Sequence, residues 1–142
     1  MRLLYTILFG LFLPLIVKMN EGLGKAVGLA PGSVLVHAIG ALFGVVCILP
    51  FCGTNWWGGL AQAPTWTLFG GIIGTGMVVL ANQGVQALGV GSFIALNVSA
   101  QLLTGAVLDH FGLLGSPLHP MSLGRLAGII LLIVGSLLVV RT

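Results

Sequence analysis

The sequence has 142 residues, of which 58% are hydrophobic and only 5% charged, against about 25% charged in a soluble globular domain. No Asp, Glu, Lys or Arg occurs between Lys25 and Asp109, a stretch that a water-soluble fold would have to expose in part. The net charge of +3 comes from scattered residues; with no basic cluster or stripe, a nucleic-acid partner is not indicated.

A spanning helix needs about 20 residues to cross a hydrocarbon core of about 30 Å. Five spans and their turns therefore take up nearly all of the chain. The expected fold class is an all-α integral membrane bundle of five transmembrane helices, at about residues 3–27, 33–52, 65–88, 90–109 and 122–141. Residues 1–142 then form a single transmembrane domain with no soluble domain, and the lipid bilayer is its first partner.

The start Met1-Arg2 followed by an apolar run resembles a signal peptide. No small-x-small cleavage site closes that run before Lys18, so a retained first helix is expected. Its uncharged part, Leu3 to Val17, spans only about 22 Å at 1.5 Å per residue. The helix must therefore continue through Lys18, Asn20, Glu21 and Lys25 to about Val27, with a bend expected at Pro14. Gly28 to Gly32, with Pro31, reads as the turn into the second span. Pro50, Gly53, Asn55 and the Gly58-Gly59 pair mark the next loop. Trp56, Trp57 and Trp66 beside it look like an interfacial aromatic belt. Pro64 suits the first turn of the third span, Gly89 and Gly91 bracket the turn into the fourth, and Ser122 can cap the fifth. Cys47 and Cys52 fit neither a disulfide framework nor a metal site and read as free apolar thiols.

Glycine numbers 23. Gly24/Gly28, Gly40/Gly44, Gly70/Gly74 and Gly124/Gly128 each form a G-x-x-x-G, which places two side-chain-free positions on one helix face and lets backbones approach closely.

Polar residues in hydrocarbon are costly and are functional candidates for that reason. Let side A be the membrane face holding the N-terminus and side B the other. Lys18, Glu21 and Lys25 share one face of the first helix in its side-B half. Ser33 and His37 lie four apart at the side-B entry of the second helix. Asn82 and Gln86, with Thr75, mark the third near side B, and Asn97, Gln101 and Thr104 mark the fourth. Convergence of these faces would line a polar cavity open to side B, with Lys18, Glu21, His37, Asn82, Gln86, Asn97 and Gln101 as candidate substrate or ion contacts. Each has a plainer role too. The lysines can snorkel to headgroups with Glu21 as their counter-ion, His37 can be a hydrogen-bonded helix residue, and the amides can be interhelical glue. Asp109-His110, at the side-A edge, suits a helix-end anchor. The fifth helix, apolar apart from Ser136, is expected to pack outside against lipid or a partner. The motifs of hydrolases, zinc peptidases and phosphate loops are absent from the sequence, so neither an enzyme nor a cofactor or metal is expected.

Short-loop cations barely set an orientation: Arg2 and Arg125 fall on side A, and Lys18, Lys25 and Arg141 on side B. Alternating-access transporters often combine two halves of inverted topology. A five-helix chain can obtain the second half from an oppositely inserted copy or a homologous paired subunit, giving a ten-helix inverted-repeat assembly.

Gln101 through Asp109-His110-Phe111-Gly112 and Pro117 to Ser122 resemble the short, five-helix YdcZ-type (EamA-like) family of the drug/metabolite transporter superfamily. So do Asn20-x-x-Leu23-Gly24-Lys25 and Gly70-Gly71-x-x-Gly74. The chain departs from that pattern in carrying Ile16 and Lys18, where a Gln and a small residue are usual, and in Glu21. The resemblance implies a multi-pass protein of the bacterial inner membrane. Relatives occur as single chains, pairs and fused repeats, and the superfamily exports small metabolites and drugs. The expectation is a small-solute transporter using alternating access as an antiparallel dimer, its substrate unspecified. The alternative from another class is a non-transporting membrane subunit that assembles with other membrane proteins. A passive channel is less favoured, because polarity fades toward side A.

Overall fold

A computed structural model of the chain describes residues 2–53 and 56–141, which contain no β-strand. Asn55, assigned above to the loop after the second span, lies outside the described residues. Among the described residues, five helical segments are long and apolar enough to cross a membrane: Leu3–Val27, Leu29–Phe51, Thr65–Leu88, Val90–Phe111 and Leu123–Arg141. All five expected spans are present: the first and third keep the expected bounds, and the ends of the other three shift by one to four residues.

Helix α1 (Arg2–Val27) runs on through Pro14 and through the charged segment. The turn into α2 (Leu29–Phe43) is one residue, not the five expected. Gly28 alone leaves the helical region, at φ 97°, and its carbonyl accepts the first α2 bond from Gly32 N–H at 2.9 Å. Pro31 is tolerated inside α2 because the amides of the first turn have no intrahelical acceptor to lose. At its far end α2 widens into a π-turn, Gly44–Ile48, and then tightens into a 3₁₀ turn, Leu49–Phe51. Pro50 accounts for this change, since it donates no bond and its ring crowds the carbonyl four residues back. The Gly58-Gly59 pair sits in a short helix α3 (Trp56–Gln62) instead of a loop, with Trp56 and Trp57 stacked at a centroid distance of 3.8 Å.

Pro64 stands just before the third span instead of inside its first turn. Its carbonyl accepts from both the amide and the hydroxyl of Thr67, opening a 3₁₀ turn, Thr65–Leu68, that leads into α4 (Phe69–Leu88). Gly89, at φ 77°, makes the next turn by itself, and Gly91 lies within α5 (Val90–Phe111). Helix α5 extends past 109 and stops at Gly112, whose left-handed conformation lets its N–H return to the Leu108 carbonyl. Helix α6 (Leu123–Arg141) starts as the sequence suggests: Ser122 Oγ accepts from Arg125 N–H at 3.2 Å.

The chain divides into two compact units, Met1–Gln86 and Ala87–Thr142. Among the described residues the buried apolar set is short, comprising Val17, Val85, Ala106 and Ile129, while most other large apolar side chains are exposed. A soluble monomer rarely exposes an apolar patch beyond a few hundred Å², but in lipid this inverted surface is the stable one. Cys47 and Cys52 are free and exposed.

Candidate functional site

In the first unit, glycine brings α1 and α2 into backbone contact. A Cβ on Gly32 would stand 3.0 Å from Gly24 Cα and 3.2 Å from Gly24 N, so a side chain there would press on the α1 backbone. Helix α4 closes on the same place. A Cβ on Gly24 would lie 2.8 Å from Asn82 Nδ2, and Ser33 Oγ donates to the Thr75 carbonyl at 2.6 Å. One turn along α2, His37 Nδ1 lies 2.8 Å from the Ser33 carbonyl. A carbonyl only accepts, so Nδ1 carries the hydrogen and Nε2 of the neutral ring remains an acceptor. That Nε2 faces Gly74, at 3.7 Å from where a Cβ would be.

This packing encloses polar groups. Glu21 is 2% exposed and Ser33 and Asn82 are fully buried. Both oxygens of the Glu21 carboxylate are paired along α1: Lys18 Nζ donates to Oε2 at 2.8 Å, and Lys25 pairs with Oε1. The i−3 and i+4 spacing lets one helix face hold all three. The ammonium-bearing side chains are themselves 60% and 58% exposed, so a buried acid is held by two accessible cations. Asn82 differs, because neither its amide nitrogen nor its oxygen has a hydrogen-bond partner among the described residues. A buried unpaired amide is uncommon, and each such group calls for a reason.

Of the residues expected to line a site, Lys18, Glu21, His37 and Asn82 lie on the three helices that this packing joins. Gln86, one turn beyond Asn82, is exposed. Asn97 and Gln101 belong to the second unit, on α5, where Asn97 is half-buried and Gln101 exposed. Of the glycine pairs, Gly24 and Gly74 face neighbouring side chains and Gly28 forms the turn. Gly40, Gly44, Gly70, Gly124 and Gly128 have open space within 4 Å of the Cβ position.

Sequence reasoning missed Gly32, which follows Gly28 by four residues but lies across the turn from Gly24 and supplies the backbone contact between α1 and α2. It also missed the role of Ser99. In the second unit Ser99 Oγ reaches both Ala95 O, at 3.0 Å, and Leu132 O on α6, at 3.3 Å. Ile129 and Ser136 are buried in the same unit, so α6 packs against α5 through one face while its other faces stay exposed. Asp109 and His110 do more than end a helix. Asp109 Oδ2 pairs with Arg125 at 2.5 Å, its carbonyl accepts from His119 N–H at 2.8 Å, and His110 Nδ1 accepts from Met121 N–H at 2.9 Å. With Arg125 also donating to the His119 carbonyl, the end of α5, the loop and the start of α6 are tied together.

Five apolar spans, an outward apolar surface and a few enclosed polar side chains define a multi-pass α-helical membrane protein. The chain belongs to the DMT_YdcZ family, described as "Putative inner membrane exporter, YdcZ", which it matches over residues 1–138. Over 76 residues it is 41% identical to Inner membrane protein YdcZ of Escherichia coli (strain K12), a match that takes in 54% of this chain and 50% of that protein. The chain thus spans about half the length of this curated relative in that match. No solved structure matches the chain. The protein is a multi-pass protein of the inner membrane.

Proposed function

We propose that the chain is a small-solute transporter that works by alternating access, and that two oppositely inserted copies, or a copy and a homologous subunit, supply the two inverted halves. The observation that carries this reading is the polar node of the first unit. Glu21, Ser33 and Asn82 are enclosed where α1, α2 and α4 meet, inside segments apolar enough to span a bilayer. A buried acid flanked by two lysines is expensive in hydrocarbon and gains nothing as packing that leucine would not give, which favours a role in solute handling. The family's description as an inner-membrane exporter supports the same reading.

The test is accessibility. With Cys47 and Cys52 replaced, His37→Cys, Gln86→Cys and Asn97→Cys are reacted with a membrane-impermeant thiol reagent from either side. Labelling from both sides, altered by a transported solute, is the expected result. Protection of His37→Cys and Asn97→Cys under all conditions would remove the cavity and with it the transport reading. The second reading, a non-transporting assembly subunit, draws on a specific feature: the Ser33–Thr75 and Ser99–Leu132 bonds are interhelical glue of the ordinary kind. It predicts silence at those cysteines.

A further inference from the structure

We propose that the node on α1 is an anion site: Lys18 and Lys25 bind a small monovalent oxyanion, a carboxylate or sulfonate, with Glu21 as the displaceable counter-ion that holds them when no solute is bound. This rests on the transport reading and assigns its substrate class. The first ground is the state of the carboxylate. Each Glu21 oxygen is already paired with a lysine of the same helix, so a cationic solute would have to displace two ammonium groups tethered beside it. The second is the supply of donors. An ammonium has three N–H groups; one from each lysine goes to Glu21, and both side chains are more than half exposed, so an oxyanion can approach them.

Charge arithmetic gives a third ground. Two lysines and one glutamate leave the node at +1, and no further charged residue follows until Asp109. A bound monoanion brings the node to zero, and a neutral node moves between membrane-facing states without carrying net charge against the potential. The fourth is Asn82. Its amide is fully buried without a partner and packs on Gly24, one turn from Glu21 and adjacent in sequence to Lys25. An amide nitrogen can donate to the remaining oxygen of a carboxylate or sulfonate, a bond that the unloaded node lacks.

A phosphodiester headgroup offers the same oxyanion chemistry, so the experiment must separate a free solute from lipid. Protein in phosphatidylcholine nanodiscs is titrated calorimetrically with benzenesulfonate, a permanent monoanion, and with phenyltrimethylammonium, its cationic counterpart. Benzenesulfonate is expected to bind and the cation not to. Lys18→Gln and Lys25→Gln should each weaken binding by about tenfold or more, the scale of one lost charge-assisted bond, while Lys18→Arg and Lys25→Arg retain it and serve as folding controls. Glu21→Gln should tighten it, because the internal competitor is gone. Failure of benzenesulfonate to bind, indifference to both Lys→Gln changes, or cation binding that Glu21→Gln abolishes would each overturn the proposal. So would loss of sulfonate binding when phosphatidylglycerol is added, which would give the node to lipid. Counterflow in proteoliposomes separates the two readings: sulfonate bound but never moved keeps the site and removes transport, whereas cation flux keeps transport and removes the anion site.

Discussion

Gly32→Ala isolates the backbone contact between α1 and α2. The added Cβ would stand 3.0 Å from Gly24 Cα, whereas carbon atoms in good contact sit about 3.5–4.0 Å apart. The helices must part by about half an ångström or more, and the atom in the way is backbone, which cannot rotate aside. Overpacking of this kind costs about 1–3 kcal/mol. Alanine also favours the helix by about 1 kcal/mol over glycine, so the raw change could come out near zero. Gly10→Ala and Gly40→Ala remove that ambiguity, because both positions are helical with open space where the Cβ would go. Subtracting them cancels the helix preference and leaves the clash, expected at about 1–3 kcal/mol. The assay is reversible unfolding in mixed detergent and dodecyl sulfate, followed by circular dichroism. If Gly32→Ala is as stable as the two controls, the backbone contact between α1 and α2 does not hold the unit together.

Asn82→Leu removes the unpartnered buried amide, so stability in the same assay should stay level or rise by up to about 1–3 kcal/mol, the penalty of an unsatisfied buried polar group; benzenesulfonate binding should fall in the same variant. A loss of stability would mean that the amide is paired in the membrane. Asp109→Ala removes the ion pair to Arg125 while leaving the backbone bond from His119 to residue 109 and the Arg125 bond to the His119 carbonyl available. Amide hydrogen exchange should then quicken through residues 112–122 with little change in global unfolding; unchanged exchange would show that the backbone and His110 bonds suffice. A single cysteine from Thr142→Cys, with Cys47 and Cys52 replaced, should be labelled from outside intact cells in about half of the chains, the proportion that equal dual insertion requires. Labelling of all or none would exclude an oppositely inserted homodimer and leave a homologous partner to supply the second half.

The spans were legible because the bilayer imposes a length and a composition, and five apolar runs meet both. Their ends were less so, because proline and glycine carry more than one meaning. Pro31 reads as a helix breaker, yet it is harmless in the first turn of α2, where Gly28 alone supplies the reversal. The Gly58-Gly59 pair reads as a loop, yet it lies in α3 behind the stacked Trp56 and Trp57. In the candidate site, i, i+3, i+7 spacing was enough to join Lys18, Glu21 and Lys25, since all three sit on one helix. The meeting of Gly24 with Gly32 and Asn82 was not legible from spacing, because it depends on the relative rotation of three helices. Gly24, Gly28 and Gly32 stand at four-residue intervals, which within one helix would put them on one face, whereas the turn at Gly28 places Gly24 and Gly32 on two helices.

Lipid tails are as apolar as leucine, so burying apolar surface gives spans little reason to associate, and cohesion falls to close packing and interhelical hydrogen bonds. The first unit uses both at one place: Gly24 against Gly32, and Ser33 on Thr75. Glu21 and Asn82 are buried at that same place, and Asn82 is buried without a partner. Stability alone would favour leucine at 82 and an uncharged residue at 21, since an apolar replacement for a buried polar group is commonly neutral or stabilising. An amide that costs stability at the tightest point of the packing is therefore better understood as serving a state in which it has a partner. The glycines make that arrangement possible, because only their missing side chains bring the α4 amide within a turn of the α1 charges. Packing and solute recognition are then two uses of one contact, and a change at Gly24 or Gly32 should disturb binding even though neither residue has an atom that could hold an anion.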